Sequence, residues 1–314
     1  MTRRELLYTA AAALPARALL AKASQPKTAV NFEIPEHACD CHTHIFGDPK
    51  QFPFWEGRSY TPEMALPSEM AALHRALHME RVVIVQPSIY GTDNSSTLYG
   101  MRARGTAARG VAVIDDKTTA ADLEAMQRAG MRGIRINLTN NGQNDVGLAR
   151  RKFTDAVGQI RDMKWHIQMY TNMEVVAGIS QLVQSSPVPV VFDHFGGAEA
   201  AKGMQQEGFA ELLALVHLGK AWVKISGAYR ASAKAPNYAD VTPLAKALIA
   251  ANPERIVWGS DWPHPGPAVG KPTDPAPLQK IDDGQVLNLL PVWVPDAEVR
   301  KKILVDNPAR LYGF

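Results

Sequence analysis

Eight short apolar, mostly β-branched runs recur along the chain, and helical patterns alternate with them. This alternation constrains the fold more than any other feature. The runs are Ala38–His44, Arg81–Gln86, Gly110–Ile114, Arg132–Asn137, Trp165–Tyr170, Val188–Asp193, Ala221–Ser226 and Arg255–Ser260. Most are near-continuous Val/Ile stretches, as expected of parallel strands covered on both faces. Helical patterns lie at Ser68–Met79, Thr119–Ala129, Asp145–Met163, Phe209–Leu218, Asn237–Ala251 and Asp296–Val305, with Ser68 and Thr119 as N-caps and Gly130 and Gly219 as terminators. Eight such units predict an α/β protein, a closed (β/α)₈ TIM barrel in a single domain over 36–314, rather than a doubly wound sheet.

The N-terminus reads differently. Arg3-Arg4-Glu5-Leu6-Leu7 opens an Ala-rich run that ends in the small-x-small pattern Ala21-Lys22-Ala23, the layout of a twin-arginine export signal over 1–23. It predicts delivery to the periplasm, with 24–35 as a linker. Arg3, Arg4, Arg17 and Lys22 against Glu5 account for the whole formal charge of +3, so the remainder is about neutral. A neutral body offers no electrostatic case for nucleic acid or an anionic membrane, and no other run approaches the ~20 apolar residues of a membrane span. The two cysteines, Cys39 and Cys41, are too close in sequence to staple the fold and read as buried free thiols.

Barrel enzymes build their sites at the C-terminal ends of the strands, and the polar residues cluster there. Strand one ends in His42 and His44, which share one face with Asp40 because side chains of an extended segment alternate, while Cys39, Cys41 and Thr43 share the other. The remaining ends give Gln86 and Ser88, Arg135 and Asn137, Tyr170, His194, Tyr229 and Arg230, and Asp261. Long loops follow strand one (45–66) and strand eight (263–277). Asp261 is the natural general base for a water. Three imidazoles beside it would either hold a divalent metal or, protonated, donate to a polarised carbonyl. Arg135 and Arg230 suit an acidic group. No Gly-x-Ser-x-Gly elbow, P-loop or dinucleotide fingerprint occurs, so serine-hydrolase and nucleotide chemistry lack support.

His42-x-His44, Asp193-His194-Phe195-Gly196, Trp258-Gly259-Ser260-Asp261-Trp262-Pro263-His264 and the ending Asn307-Pro308-Ala309-Arg310-Leu311 together resemble the amidohydrolase-2 branch of the amidohydrolase superfamily. Within it the similarity is to the pyrone-dicarboxylate hydrolases and related lactonases. The resemblance implies that His42, His44, His194 and Asp261 line the catalytic centre with Asp261 activating water. It also implies that Tyr60, Ser88, Arg135, Tyr170 and Arg230 contact substrate. Metal-dependent members place another histidine or a bridging carboxylate on the middle strands, where this chain has Tyr170 and Arg135. An arginine beside Zn²⁺ would be repelled, so no cofactor is expected; if a metal is present, His42, His44, His194 and Asp261 are its ligands. Pyrone-dicarboxylate hydrolases carry a second arginine after the strand-four one, and here Thr139-Asn140-Asn141-Gly142 stands in its place. That disfavours a dicarboxylate substrate.

The resulting expectation is a hydrolase that opens a small acidic or sugar-derived lactone by Asp261-activated water attack. Alternatives are a metal-dependent amidohydrolase or decarboxylase, an aldarolactone isomerase and, outside enzymes, a periplasmic solute-binding protein. Such binding proteins usually have two hinged domains and no use for three histidines around an aspartate.

Overall fold

The computed structural model describes residues 23–140, 142–268 and 270–314. Nearly all of the expected export signal, and Asn141, lie outside the described residues. Eight parallel strands pair in chain order: β1 Cys39–Thr43, β2 Arg81–Val85, β3 Ala108–Ala112, β4 Met131–Asn137, β5 His166–Tyr170, β6 Val190–Phe192, β7 Ala221–Ser226 and β8 Ile256–Gly259. This is the TIM barrel that the alternation predicts. The outer helices are α1 Pro67–Leu77, α2 Ser95–Arg104, α3 Ala120–Arg128, α4 Val146–Ile160, α5 Met173–Ser185, α6 Phe209–His217 and α7 Thr242–Ala251.

Alternate residues of each strand face opposite layers. Val82, Ile84, Ile134, Ile136, Val190, Phe192, Val223 and Ile225 pack outward in the large core shared with the helices. Val83, Val85, Val111, Val191 and Val257 form a second cluster with Cys39, Cys41 and Tyr312 that plugs the barrel below the site. Both cysteines are buried and free.

Strand β1 departs from regular alternation. Its register against β2 runs Asp40 to Val82 and then Thr43 to Ile84, so two residues, Cys41 and His42, oppose Val83. This bulge turns both side chains inward and corrects the expectation that Asp40 shares a face with His42. Asp40 instead sits at the seam between β1 and the end of β8. Its Oδ1 accepts from Ser260 N at 2.9 Å and His42 N at 3.2 Å, its Oδ2 accepts from Ser260 Oγ at 2.6 Å, and His74 Nε2 of α1 lies 3.3 Å away. Above it the backbone closes the barrel, with Asp261 N donating to His42 O and His44 N to Trp262 O, both at 2.8 Å.

Local signals explain most helix ends. Thr119 Oγ1 accepts from Asp122 N at 3.2 Å and Asp122 Oδ2 from Thr119 N at 2.9 Å, a capping box opening α3. Ser68 is not a cap: α1 starts one residue earlier at Pro67, which suits a first helical position, and Glu69 Oε2 accepts from Leu66 N at 2.9 Å. Only Thr242–Ala251 of the expected 237–251 helix is α-helical, after a short 3₁₀ turn at Ala239–Val241.

Two segments expected to be loose are fastened. Residues 24–35 form a strap: Trp262 Nε1 donates to Ser24 O, Thr28 Oγ1 to Asp282 Oδ2 and Asn288 Nδ2 to Ala29 O, and Val30, Phe32 and Ile34 pack on the core. The two long loops pair with each other through Thr61–Pro62 and Pro275–Ala276, forming a roof over the barrel mouth.

Replacing Asp40 by alanine strands three buried donors at the seam. It should lower the unfolding free energy by about 3–5 kcal/mol, read from urea denaturation midpoints. An unchanged midpoint would show that the seam holds without the carboxylate.

Candidate active site

The β1 bulge and three tight turns bring the expected catalytic residues together. His42 and His44 meet edge to face, 5.0 Å between ring centroids, with His194 4.6 Å from His42. His194 and Asp261 both adopt positive φ (47° and 65°), uncommon for side chains other than glycine, in the turns that leave β6 and β8. Asp261 Oδ1 lies 3.6 Å from His42 Nε2, 3.6 Å from His44 Nε2 and 3.8 Å from His194 Nε2. Its other oxygen accepts from Tyr229 Oη at 2.6 Å and, very closely, from Arg230 Nε. Gly227 is required beside them: it has φ of 57°, and a Cβ there would stand 3.1 Å from His194 Nδ1 and 3.3 Å from Asp261 Oδ2.

The outer nitrogen of each ring is occupied. His44 Nδ1 lies 2.7 Å from Val85 O and donates to it, His194 Nδ1 lies 2.9 Å from Ser226 Oγ, and His42 Nδ1 faces Asp193 Oδ1 at 3.2 Å. That leaves the Nε2 lone pairs of His42 and His44 aimed at Asp261. Burial pushes all three rings down, His42 well below the usual imidazole range and His194 to about 4, so they are neutral near pH 7. Burial alone would raise the Asp261 carboxyl, but the adjacent Arg230 guanidinium holds it well below the carboxylate range. Of the two roles open to the imidazoles, neutral ligand therefore fits better than protonated donor.

Four donor atoms at tetrahedral corners, each about 2.0–2.2 Å from a zinc ion, stand about 3.3–3.6 Å apart. The spacings from Asp261 Oδ1 are close to this, and His42 Nε2 and Asp261 Oδ1 are buried with no hydrogen-bond partner. His42, His44 and Asp261 also form one of the described clusters able to hold a metal ion. The residues present fit a divalent cation.

Behind them lies a charged layer that sequence reasoning missed. Lys224 Nζ, fully buried in β7, donates to Gln168 Oε1 at 2.6 Å and lies 3.3 Å from His42 Nδ1 and 3.5 Å from Asp193 Oδ1. Gln168 Nε2 donates to Asp193 Oδ2 at 3.0 Å. The available signal was a lysine and a glutamine in the middle of strands otherwise read as apolar. Arg135 belongs partly to this layer, with Nη2 3.4 Å from Asp193 Oδ2 and Nη1 donating to Gln86 O at 3.3 Å. Arg135 shares the single carboxylate of Asp193 with Lys224, and its positive charge still helps to hold the His44 and His194 rings down.

Above the histidines a cavity of about 440 Å³ is lined by His44, Tyr60, Arg135, Asn140, Tyr170, Tyr229 and Arg230, with Pro265 and Gly266 in the roof. Burial pushes the Tyr60 hydroxyl up to about 12, so it stays a neutral donor. Ser88 is the one expected contact residue that does not line this cavity; its Oγ accepts from Asn140 Nδ2 at 3.0 Å and faces a neighbouring chamber. Tyr229, seen in sequence only as a strand-end residue, is a direct partner of Asp261.

A TIM barrel with a His-x-His pair, a third histidine and an aspartate at its mouth defines a barrel hydrolase of the amidohydrolase type. The chain belongs to the amidohydrolase family, whose model matches residues 39–314. It is 37% identical over 285 residues to 4-sulfomuconolactone hydrolase of Rhizobium radiobacter, covering 90% of this chain and 92% of that protein. It is 32% identical over 290 residues to 2-pyrone-4,6-dicarboxylate hydrolase of Comamonas testosteroni, covering 90% and 92%. Among solved structures it is similar to the apo form of Agrobacterium tumefaciens ATU3138, with a TM-score of 0.76, 28% identity and coverage of 92% and 98%.

His166, buried in β5 against the edge of Tyr312, provides a pH test of this interior. Burial, then Lys224, pulls its ring from 6.5 to about 3. Between those values the unfolded chain binds the extra proton, so this contribution to stability is intact above about pH 6.5 and is lost as pH falls toward 3. His166→Phe should flatten the decline in urea midpoint between pH 6.5 and 4.5, above the range where the aspartates titrate. Parallel profiles would show that His166 is not a source of the decline.

Proposed function

We propose that this chain is a lactone hydrolase acting on a lactone with a single acidic group, a carboxylate or sulfonate, or on a sugar lactone. The observation that carries this reading is the convergence of three neutral imidazoles on the ionised, unpartnered Oδ1 of Asp261 beneath a cavity flanked by arginines. The similarity to 4-sulfomuconolactone hydrolase and 2-pyrone-4,6-dicarboxylate hydrolase supports the reaction class.

The substrate's acidic group pairs with Arg230, and Arg135 adds positive potential from the cavity wall. Tyr60 and Tyr170 flank the ring and exclude water around it. Asp261 accepts the proton of the attacking water while Tyr229 fixes its Oδ2. Arg230 is the nearest charge holding Asp261 low. An anion arriving at Arg230 offsets that charge, so the basicity of Asp261 rises when the substrate is in place.

His42, His44, His194 and Asp261 would hold a divalent metal such as zinc, which when bound supplies Lewis-acid polarisation of the lactone carbonyl. This departs from the metal-free expectation: the unpartnered His42 Nε2 and Asp261 Oδ1 favour a cation, while Arg135, only partly offset by Asp193, opposes it. Export to the periplasm is part of the same proposal and rests on Arg3-Arg4 and Ala21-Lys22-Ala23 alone.

Purified protein assayed with a pH indicator on lactones bearing one acidic group should show hydrolysis. Asp261→Asn should lower kcat by about 10²–10⁴ and reduce the divalent metal retained after dialysis. Failure of the folded wild type on every such lactone, or near-full turnover by Asp261→Asn, contradicts the proposal.

A further inference from the structure

A second cavity, of about 780 Å³, opens beside the one above the histidines. Arg135 lines both, and the hydrogen bond from Asn140 to Ser88 lies where they meet. Arg135 is 7% exposed, and its Nε has no partner at this wall. The larger chamber wraps around the short end of β3. Val113, Ile114, Ile134 and Ile136 give it an apolar lining, and Trp55 stands at its rim.

Trp55 is the feature that packing does not explain. It is 48% exposed, yet it is held in place: its backbone N–H donates to Ile89 O at 2.8 Å and its ring lies against Gly91, whose added Cβ would stand 3.2 Å from it. An immobilised, half-exposed indole beside an apolar chamber is a surface for a flat or bulky apolar group.

The charges around the chamber define what it rejects. Asp115 Oδ1 is occupied by Lys117 N and the Thr118 hydroxyl, and Asp93 Oδ1 by Ser95 N, as local turns require. Asp116 and Asp155 complete an acidic rim; of the two cations in the lining, Arg135 faces Asp193 at 3.4 Å and Lys152 has its ammonium on Gln143 Oε1 at 3.3 Å. Such a rim disfavours an anion. The two cavities are therefore complementary: a cationic one over the reacting centre and an apolar, acid-rimmed one beside it.

We propose that the larger chamber binds an uncharged apolar substituent of the substrate. The preferred lactones then carry one acidic group, held by Arg230 and Arg135, and an aryl or branched alkyl arm that passes Arg135 and lies against Trp55 and Ile114. This rests on the lactone-hydrolase reading and specifies its substrate class. A phenyl-sized group leaving water for such a lining is worth about 10- to 100-fold in kcat/KM.

The test compares an acidic γ-lactone with its phenyl-substituted counterpart, by turnover and by calorimetric binding. Wild type should favour the phenyl compound by about 10- to 100-fold. Ile114→Trp, at a half-buried loop position that lines the chamber, should bring the ratio near one while leaving the compact lactone's kcat/KM unchanged. Trp55→Ala, at an exposed position, should reduce the ratio several-fold. Turnover of the compact lactone with no preference for the phenyl compound overturns the chamber proposal and leaves the lactone-hydrolase reading intact. Tight, Trp55-dependent binding of the phenyl compound without turnover of either supports the chamber and overturns the reaction assigned to the centre. Absence of both binding and preference overturns the chamber proposal.

Discussion

The site depends on the carboxylate of Asp40. A parallel barrel must join its first strand to its last, and here the seam is held by one buried side chain that accepts from Ser260 N, Ser260 Oγ and His42 N. The last of these bonds satisfies the amide displaced by the bulge in β1, so the constraint that closes the barrel also turns His42 inward. Just beyond it, the backbone bonds Asp261 N to His42 O and His44 N to Trp262 O carry the aspartate and the histidine pair to the same height. Catalytic geometry and barrel closure are thus one set of bonds.

Electrostatics then set the protonation of that geometry. Asp193 is buried among His42, Lys224, Gln168 and Arg135, whose cations keep it ionised although burial opposes this. It orients His42 and neutralises part of the positive charge behind the site, which lets the imidazoles stay neutral with Nε2 facing inward. Arg230 and Tyr229 hold one oxygen of Asp261 and leave the other for chemistry. The arrangement keeps a carboxylate ionised at a low-dielectric centre.

The barrel and its eight strands were legible in the sequence because buried parallel strands leave continuous Val/Ile runs. The four central residues were legible because strand ends in a barrel share one face of the molecule. Asp40 was placed on the wrong face because a bulge leaves no mark in a period-two pattern: Cys41 and His42 both point inward. Helices α2 and α5 were missed. The first reads Ser95-Ser96-Thr97-Leu98-Tyr99-Gly100, with little apolar periodicity. The second, Met173–Ser185, has clearly separated apolar and polar faces and an N-cap in Asn172, so the sequence carried its signal. Lys224 escaped notice because only the buried carboxylate and amide from other strands make a lysine tolerable there. The chamber behind Arg135 was invisible, since its lining comes from the outer face of β4, the turn after β3 and the first long loop.

The account's central claim is that water attacks the lactone carbonyl at Asp261, and oxygen-isotope tracing tests this most directly. Under single-turnover conditions in ¹⁸O-labelled water, an acidic γ-lactone should yield a hydroxy acid with one labelled oxygen in the new carboxylate. Label in the alcohol, or an unlabelled isomerised lactone, would contradict the account.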